Sequence, residues 1–114
     1  GTGVREGDLA DLEDAVTQAA AAAGEGLTGL IGAPERLAVL QGLAARTSEA
    51  LPGDHGEIVV SDVNGAKGLE FDEVVLVEPA EIVAASPQGL NDVYVAVTRA
   101  TQGLTLVHDA DLPW

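Results

Sequence analysis

Cysteine is absent from this chain of 114 residues, which excludes disulfides and thiolate metal sites. Aromatic residues are also scarce, at 3%, although apolar residues as a whole make up 46%. The core must therefore be built from Ala, Val and Leu, which suits a sheet covered by helices. The length suits one domain.

Basic residues are few: the chain has five Lys and Arg and 19 Asp and Glu. The formal net charge is therefore −14. Proteins that hold nucleic acid usually gather Lys and Arg on one face. This balance excludes binding of a phosphate backbone by bulk electrostatics, so any nucleic acid must be held by local contacts or by other domains. The acidity is also typical of a soluble surface.

Three sequence signals are missing. No apolar run approaches the roughly 18 residues of a membrane span, and no signal segment opens the chain, so we expect a cytoplasmic protein without a membrane partner. The phosphate-binding pattern G-x-x-x-x-G-K-[ST] is absent, so the chain lacks a complete nucleotide site. Because the chain does not begin with Met, we expect a piece of a longer protein, with Gly1-Thr2-Gly3 as part of a cloning scar.

Apolar periodicity predicts alternating strands and helices. The expected helices are 8–23, a second that begins at Pro34 and carries its apolar stripe at 37–44, and 90–101, with 79–85 as a short helix or an irregular crossover. The expected strands are 27–31, 57–60, 74–77 and 104–107, and the tail 109–114 is expected to be loose. Alternation of this kind predicts an α/β fold with a mostly parallel sheet flanked by helices.

The segment from Ala66 to Asp72 lies between two apolar strands and carries the only Lys of the chain, Lys67. A glycine at 68 allows backbone to approach a ligand closely, and Lys67 could contact a phosphate. Glu70 could accept hydrogen bonds from a ribose. The alternative is that Lys67 and Glu70 are solvated loop residues.

The segment from Tyr94 to Ala100 lies on the last predicted helix. Arg99 could reach across an interface and stabilise the charge of phosphoryl transfer, as arginine fingers do. The alternative is an exposed helical arginine. Tyr94 is expected in the core, because it shares a helical face with Leu90 and Val97.

Together these segments resemble motifs V and VI of the UvrD/Rep/PcrA helicases of superfamily 1, which carry stretches close to S-A-K-G-L-E-F and Y-V-(G/A)-(V/I/L)-T-R-A. The resemblance implies the second, C-terminal RecA-like half of a motor, a fold of the P-loop NTPase type without the phosphate-binding loop. ATP and Mg²⁺ would be bound in the parent protein together with its N-terminal RecA-like half. The parent would be an ATP-dependent DNA helicase or translocase, with single-stranded DNA as partner.

The resemblance also implies roles for individual residues. Arg99 matches the arginine that reaches the γ-phosphate, Glu70 the glutamate near the ribose, and Gly68 the glycine beside the phosphates. Lys67 and Thr98 match positions near the interface between the halves, and Thr98 is also a candidate for nucleic-acid contact.

The sequence departs from the family at two motifs. Asp62, Asn64 and Gly65 stand where the family has Thr, His and Ser. In the family the Thr and the His help hold single-stranded DNA, which leaves Asn64 as the candidate for that contact. Motif IV usually supplies a Tyr and an Arg, whereas Ile31-Gly32 lies here and Arg36 follows as the candidate for phosphate.

One branch is especially similar, the actinobacterial HelD-like ATPases that bind RNA polymerase and clear it of nucleic acid. The similarity lies in residues 71–79, Gly89-Leu90, 94–100, 106–108 and Leu112-Pro113. It implies an alternative function, an RNA-polymerase-binding module that clears nucleic acid without unwinding. A third hypothesis is a free-standing flavodoxin-like domain. The sequence does not favour it, because no acidic triad at strand ends with a downstream Lys is apparent.

A metal site is not expected. His55 and His108 are far apart in the sequence and no Cys accompanies them. The four carboxylates that follow motif V are expected to form a solvated acidic edge; they are Asp72, Glu73, Glu78 and Glu81.

Overall fold

A computed structural model describes residues 3–114, which contain five parallel strands in one sheet. The strands are β1 (Gly3–Gly7), β2 (Thr28–Ile31), β3 (Ile58–Ser61), β4 (Phe71–Val77) and β5 (Ala100–Val107). Their order across the sheet is β1-β5-β4-β2-β3, and every neighbouring pair is parallel. The predicted α/β class is confirmed.

Five helices connect the strands: α1 (Leu12–Ala23), α2 (Leu37–Ala50), α3 (Val63–Ala66), α4 (Pro79–Ala84) and α5 (Gly89–Val97). Short 3₁₀ turns precede the first two, at Leu9–Asp11 and Pro34–Arg36. Asp8 caps the first turn, because its carboxylate accepts the backbone N–H of Asp11 at 3.2 Å. Pro34 begins the second turn, where a missing N–H does no harm.

The centre of the sheet is buried on both faces, which explains why residues 74–77 of β4 are wholly apolar. Val74 and Leu76 pack on the face covered by α3, α4 and α5. Val75 and Val77 pack on the face covered by α1 and α2. Alternate residues of one strand thus enter two separate cores, and a polar residue would be buried at either position.

The connections reverse direction between β2 and β4. From β2 the chain passes through α2 to the outer strand β3, whereas from β4 it passes through α4 and α5 to β5 on the other side. Ligands of open α/β sheets bind at such a switch point, outside the carboxyl ends of the strands.

β1 was not predicted; it begins at Gly3, which pairs with Gly103 of β5. The predicted boundary between the last helix and the last strand is wrong. The last helix was expected to reach 101 and the last strand to begin at 104. The helix ends at Val97 and β5 begins at Ala100, because the N–H of Phe71 bonds the carbonyl of Arg99 at 2.9 Å and starts the β4–β5 ladder.

Three side chains also lie where they were not expected. Tyr94 is 66% exposed rather than in the core, because Val93 and Ala96 form the buried face of α5. Glu73 and Glu78 are each only 4% exposed, so the acidic edge predicted from 72 to 81 is not wholly solvated. Glu73 is held by Arg5 at 2.9 Å, and one Glu78 oxygen accepts the N–H of Asp109 at 3.1 Å.

No helix within residues 3–114 is long and apolar enough to cross a membrane. Residues 109–114 form neither helix nor strand, and Leu112 packs against the core on the α5 side.

Candidate functional site

The two sequence segments meet at the amino ends of β4 and β5. The N–H of Phe71 donates to the carbonyl of Arg99 at 2.9 Å, and the Thr101 hydroxyl donates to the carbonyl of Phe71 at 3.2 Å. Phe71 itself is 1% exposed and anchors the junction in the core. Arg99 therefore shares a backbone hydrogen bond with Phe71, the residue after Glu70, although the two segments are far apart in the sequence.

Arg99 lies in the turn between α5 and β5 rather than in the middle of a helix. Its side chain is half-buried, and Nε donates to the carbonyl of Val95 at 3.3 Å. Across the described residues 3–114, Arg99 takes part in no salt bridge, whereas Arg5, Arg36 and Lys67 each face a carboxylate. A guanidinium carries five N–H donors, so most of this one's capacity is available to an anion.

The backbone just before β4 is open to solvent. Gly68 has φ of +82°, in the left-handed region that favours glycine, and no atom lies within 4 Å of where a Cβ would stand. Leu69 and Glu70 follow it and are exposed. A ligand could approach this stretch of main chain without displacing any side chain.

A second feature, a cleft of about 210 Å³, opens at the carboxyl ends of β2 and β3, next to the switch point. Lys67 and Asn64 line it, and Lys67 Nζ lies 3.9 Å from the Asp92 carboxylate. Asp92 is only 8% exposed. Sequence reasoning missed Asp92, and with it Ser86 and Gln88 of the same cleft. The available signal was an acidic residue in the first turn of an otherwise apolar helix.

Arg36 is engaged by α4. Its Nε and Nη2 donate to the two carboxylate oxygens of Glu81 at 2.6 and 2.9 Å. This bidentate hydrogen bonding lowers the pKa of Glu81 and raises that of Arg36, against the opposing effect of partial burial. Arg36 therefore meets a phosphate only if Glu81 releases it.

The predicted site residues thus fall into two groups on opposite sides of the sheet. One group lies at the amino edge, where the strands begin, and the other at the carboxyl edge, where the strands end. Gly68, Glu70, Thr98 and Arg99 lie toward the amino edge, where the Thr98 hydroxyl donates to the carbonyl of Val95 at 2.8 Å. The carboxyl edge holds Asn64, Lys67 and Arg36. Within residues 3–114, no three His, Cys, Asp or Glu side chains converge as a metal site would require.

Comparison with known proteins points to one family. The sequence model of the UvrD-like helicase C-terminal domain matches residues 57–107, a stretch that spans β3 to β5 and contains both segments. No curated protein sequence matches the chain. A similar solved structure is the C-terminal domain of a possible DNA helicase from Lactobacillus plantarum WCFS1, with a TM-score of 0.60 and 22% identity over 97% of this chain and 75% of that one. At this identity the likeness establishes the fold.

Proposed function

We propose that the chain is the C-terminal RecA-like domain of a UvrD-like superfamily 1 helicase or translocase. In this role it supplies Arg99 to an ATP site whose phosphate-binding loop lies on an N-terminal half of the same protein. The match of residues 57–107 to the helicase domain family supports the domain assignment. The state of Arg99 supports the site, and it is the observation on which the proposal chiefly rests.

Arg99 differs from the other basic residues near the predicted site. The guanidinium of Arg36 donates two hydrogen bonds to the Glu81 carboxylate, and the ammonium of Lys67 faces Asp92. The Arg99 guanidinium has only a carbonyl partner inside the described chain, while its backbone is fixed by Phe71. An arginine whose backbone is held in place and whose guanidinium donors are available is suited to bind an anion on another domain.

The residues at the amino edge fit a nucleotide. Gly68 offers main chain without a side chain in the way, Glu70 offers an exposed carboxylate beside it, and Arg99 offers the positive charge. ATP would contribute the phosphates on which charge develops during hydrolysis. Arg99 would stabilise that charge only when the two halves close, which would couple hydrolysis to domain movement.

The test is steady-state ATP hydrolysis by the full-length parent and its Arg99→Ala and Arg99→Lys variants, with and without single-stranded DNA. We expect a fall in kcat of roughly 10³-fold or more for Arg99→Ala, with folding intact, since an arginine finger contributes about that much. Lysine should restore little, because it lacks the planar set of donors. Arg46→Ala is the matched control, since Arg46 is an exposed residue of α2 outside both segments. Equal activity of Arg99→Ala and Arg46→Ala would refute the role of Arg99.

A second candidate is an RNA-polymerase-binding, HelD-like module that clears nucleic acid without unwinding. The net charge of −14 favours it, because bulk attraction to DNA is missing; in addition, Asp62 and Asn64 stand where the family has its strand-binding residues. If this candidate holds, the parent should co-purify with RNA polymerase and its ATPase should not respond to single-stranded DNA. Robust unwinding of a tailed duplex by the parent would exclude it.

A further inference from the structure

The cleft at the carboxyl ends of β2 and β3 contains a buried carboxylate without a hydrogen bond. Asp92 lines this cleft and is only 8% exposed. Within residues 3–114 its side chain meets one charged group, the Lys67 ammonium at 3.9 Å, which is beyond hydrogen-bond distance. A buried acceptor usually has a donor, so the position of this one in a cleft indicates that a ligand supplies it.

The oxygens of Asp92 can be reached from the cleft. The side-chain atoms of residues 3–114 that are sealed from solvent and lack a hydrogen bond belong to Glu78 and Thr105. The Asp92 oxygens also lack a hydrogen bond but are not sealed, so they keep accessible surface in the cleft. Asp92 lies in the first turn of α5, where the helix dipole favours a negative charge.

The charges of the cleft favour a neutral ligand. Its lining carries two carboxylates, Asp62 and Asp92, against the single ammonium of Lys67. The resulting negative charge repels a phosphate. A cation is also disfavoured at Asp92, because the Lys67 ammonium already stands beside that carboxylate. The ligands that remain are neutral groups that accept a hydrogen bond from Lys67 and donate to Asp92.

We propose that this cleft binds an unpaired guanine base. Lys67 and Asp92 present one hydrogen-bond donor next to two acceptors. The Watson–Crick edge of guanine has the complementary order, with the O6 acceptor followed by the N1 and N2 donors, and the other bases carry different orders. Pro34 and Ala85 are exposed in the lining and offer apolar contact to the ring, while the exposed amide of Asn64 can reach the sugar.

Guanine can enter such a cleft either in a single strand of nucleic acid or as a free nucleotide, and the base chemistry is the same for both. The cleft lies on the side of the sheet opposite to Arg99 and involves no ATP hydrolysis. The proposal therefore goes beyond the proposed function, and it can fail while the role of Arg99 stands.

The test uses the ¹⁵N-labelled chain, titrated in sodium buffer with guanosine monophosphate (GMP) and followed by amide chemical shifts. We expect shifts centred on Asn64, Lys67 and Asp92, with a Kd on the order of 1 mM for so small a ligand. Inosine monophosphate differs only in lacking the N2 amino group, so it should bind about tenfold more weakly. The adenosine and cytidine monophosphates share the sugar and the phosphate but should not bind, because their base edges do not match.

Variants connect the binding to the two side chains. Asp92→Asn should weaken GMP binding about tenfold, because it replaces one of two acceptors with a donor. Lys67→Met removes the donor to O6 from an exposed position and should also weaken binding about tenfold, and it carries the test if Asp92→Asn does not fold. Glu49→Gln removes the same charge from an exposed position on α2 and should leave the Kd unchanged. Spectra without nucleotide establish that each variant folds.

Trinucleotides identify the source of the base. Binding of dTdGdT at least as tight as that of GMP assigns the cleft to a strand, and weaker binding assigns it to a free nucleotide; either result supports guanine recognition. The proposal is overturned if the inosine nucleotide binds as tightly as GMP, if dTdAdT binds as tightly as dTdGdT, or if Glu49→Gln weakens binding as much as Asp92→Asn does.

Discussion

Replacing Gly29 with alanine should destabilise the domain through one contact, that with Phe71. A Cβ at position 29 of β2 would stand 2.8 Å from Cδ2, 2.9 Å from Cγ and 3.0 Å from Cε2 of the Phe71 ring. The ring is 1% exposed, and the backbone N–H of Phe71 is bonded to Arg99, so neither ring nor main chain can yield freely. Overpacking of this kind costs about 1–3 kcal/mol.

The measurement is equilibrium urea unfolding of the chain, with thermal unfolding as a second readout. For a domain of this size, a loss of about 2 kcal/mol corresponds to a fall in Tm of about 8 °C. The matched control is Gly42→Ala in α2, where a Cβ would meet nothing closer than an Arg46 nitrogen at 3.6 Å. That change should raise the free energy of unfolding by up to about 1 kcal/mol through helix propensity.

A double variant tests the cause. In Phe71→Leu the ring is gone, so adding Gly29→Ala should cost much less than it does in the native chain. Two results would refute the reasoning. Either Gly29→Ala and Gly42→Ala shift stability in the same direction, or the cost of Gly29→Ala stays the same when the ring is absent.

Three further predictions concern polar side chains. Thr105→Val should raise the free energy of unfolding by about 1 kcal/mol, because it removes a buried hydroxyl that has no hydrogen-bond partner. If urea denaturation instead gives a lower free energy of unfolding for the variant, the hydroxyl has a partner. The hydrogen bond from Arg36 lowers the pKa of Glu81, so its stabilisation is present above pH 4.5 and is lost as the pH falls through the folded-state pKa. The Tm difference between the native chain and Glu81→Gln should therefore shrink on acidification. The hydrogen bond with Glu6 at 2.8 Å raises the pKa of His108, so its contribution is present below pH 6.5 and is lost as the pH rises through the folded-state pKa. His108→Gln should lower Tm more at about pH 5.5 than at about pH 9, and an equal or reversed difference would contradict this.

The sheet was predictable where both faces of a strand are buried. The runs 58–60 and 74–77 are wholly apolar because alternate side chains enter two cores, and that pattern is visible in the sequence. β1 left no such signal. It lies at the edge of the sheet, four of its five residues are exposed, and Val4 is 61% exposed, so backbone pairing with β5 holds it rather than burial.

The candidate site was predictable as two segments but not as a geometry. Motif patterns identified Gly68, Glu70 and Arg99, whereas the helix boundary beside Arg99 depends on a hydrogen bond from Phe71 that no local rule anticipates. The partners of Lys67 and Arg36 were likewise hidden. Asp92 and Glu81 reach them only through the packing of α3, α4 and α5 on the sheet.

The position of β1 has a consequence for folding during synthesis on the ribosome. Gly3–Gly7 pair solely with Gly103–Val107 in the described sheet, so β1 has no partner strand until β5 has been synthesised. At about 5–20 residues per second, roughly a hundred residues of synthesis leave β1 unpaired for about 5–20 seconds. During that interval β4 can already pair with β2 and β3 with β2, and β1 remains an open template for other chains. β1 contains Arg5, Glu6 and two glycines rather than an apolar run, and this composition suits a strand that stays unpaired for so long.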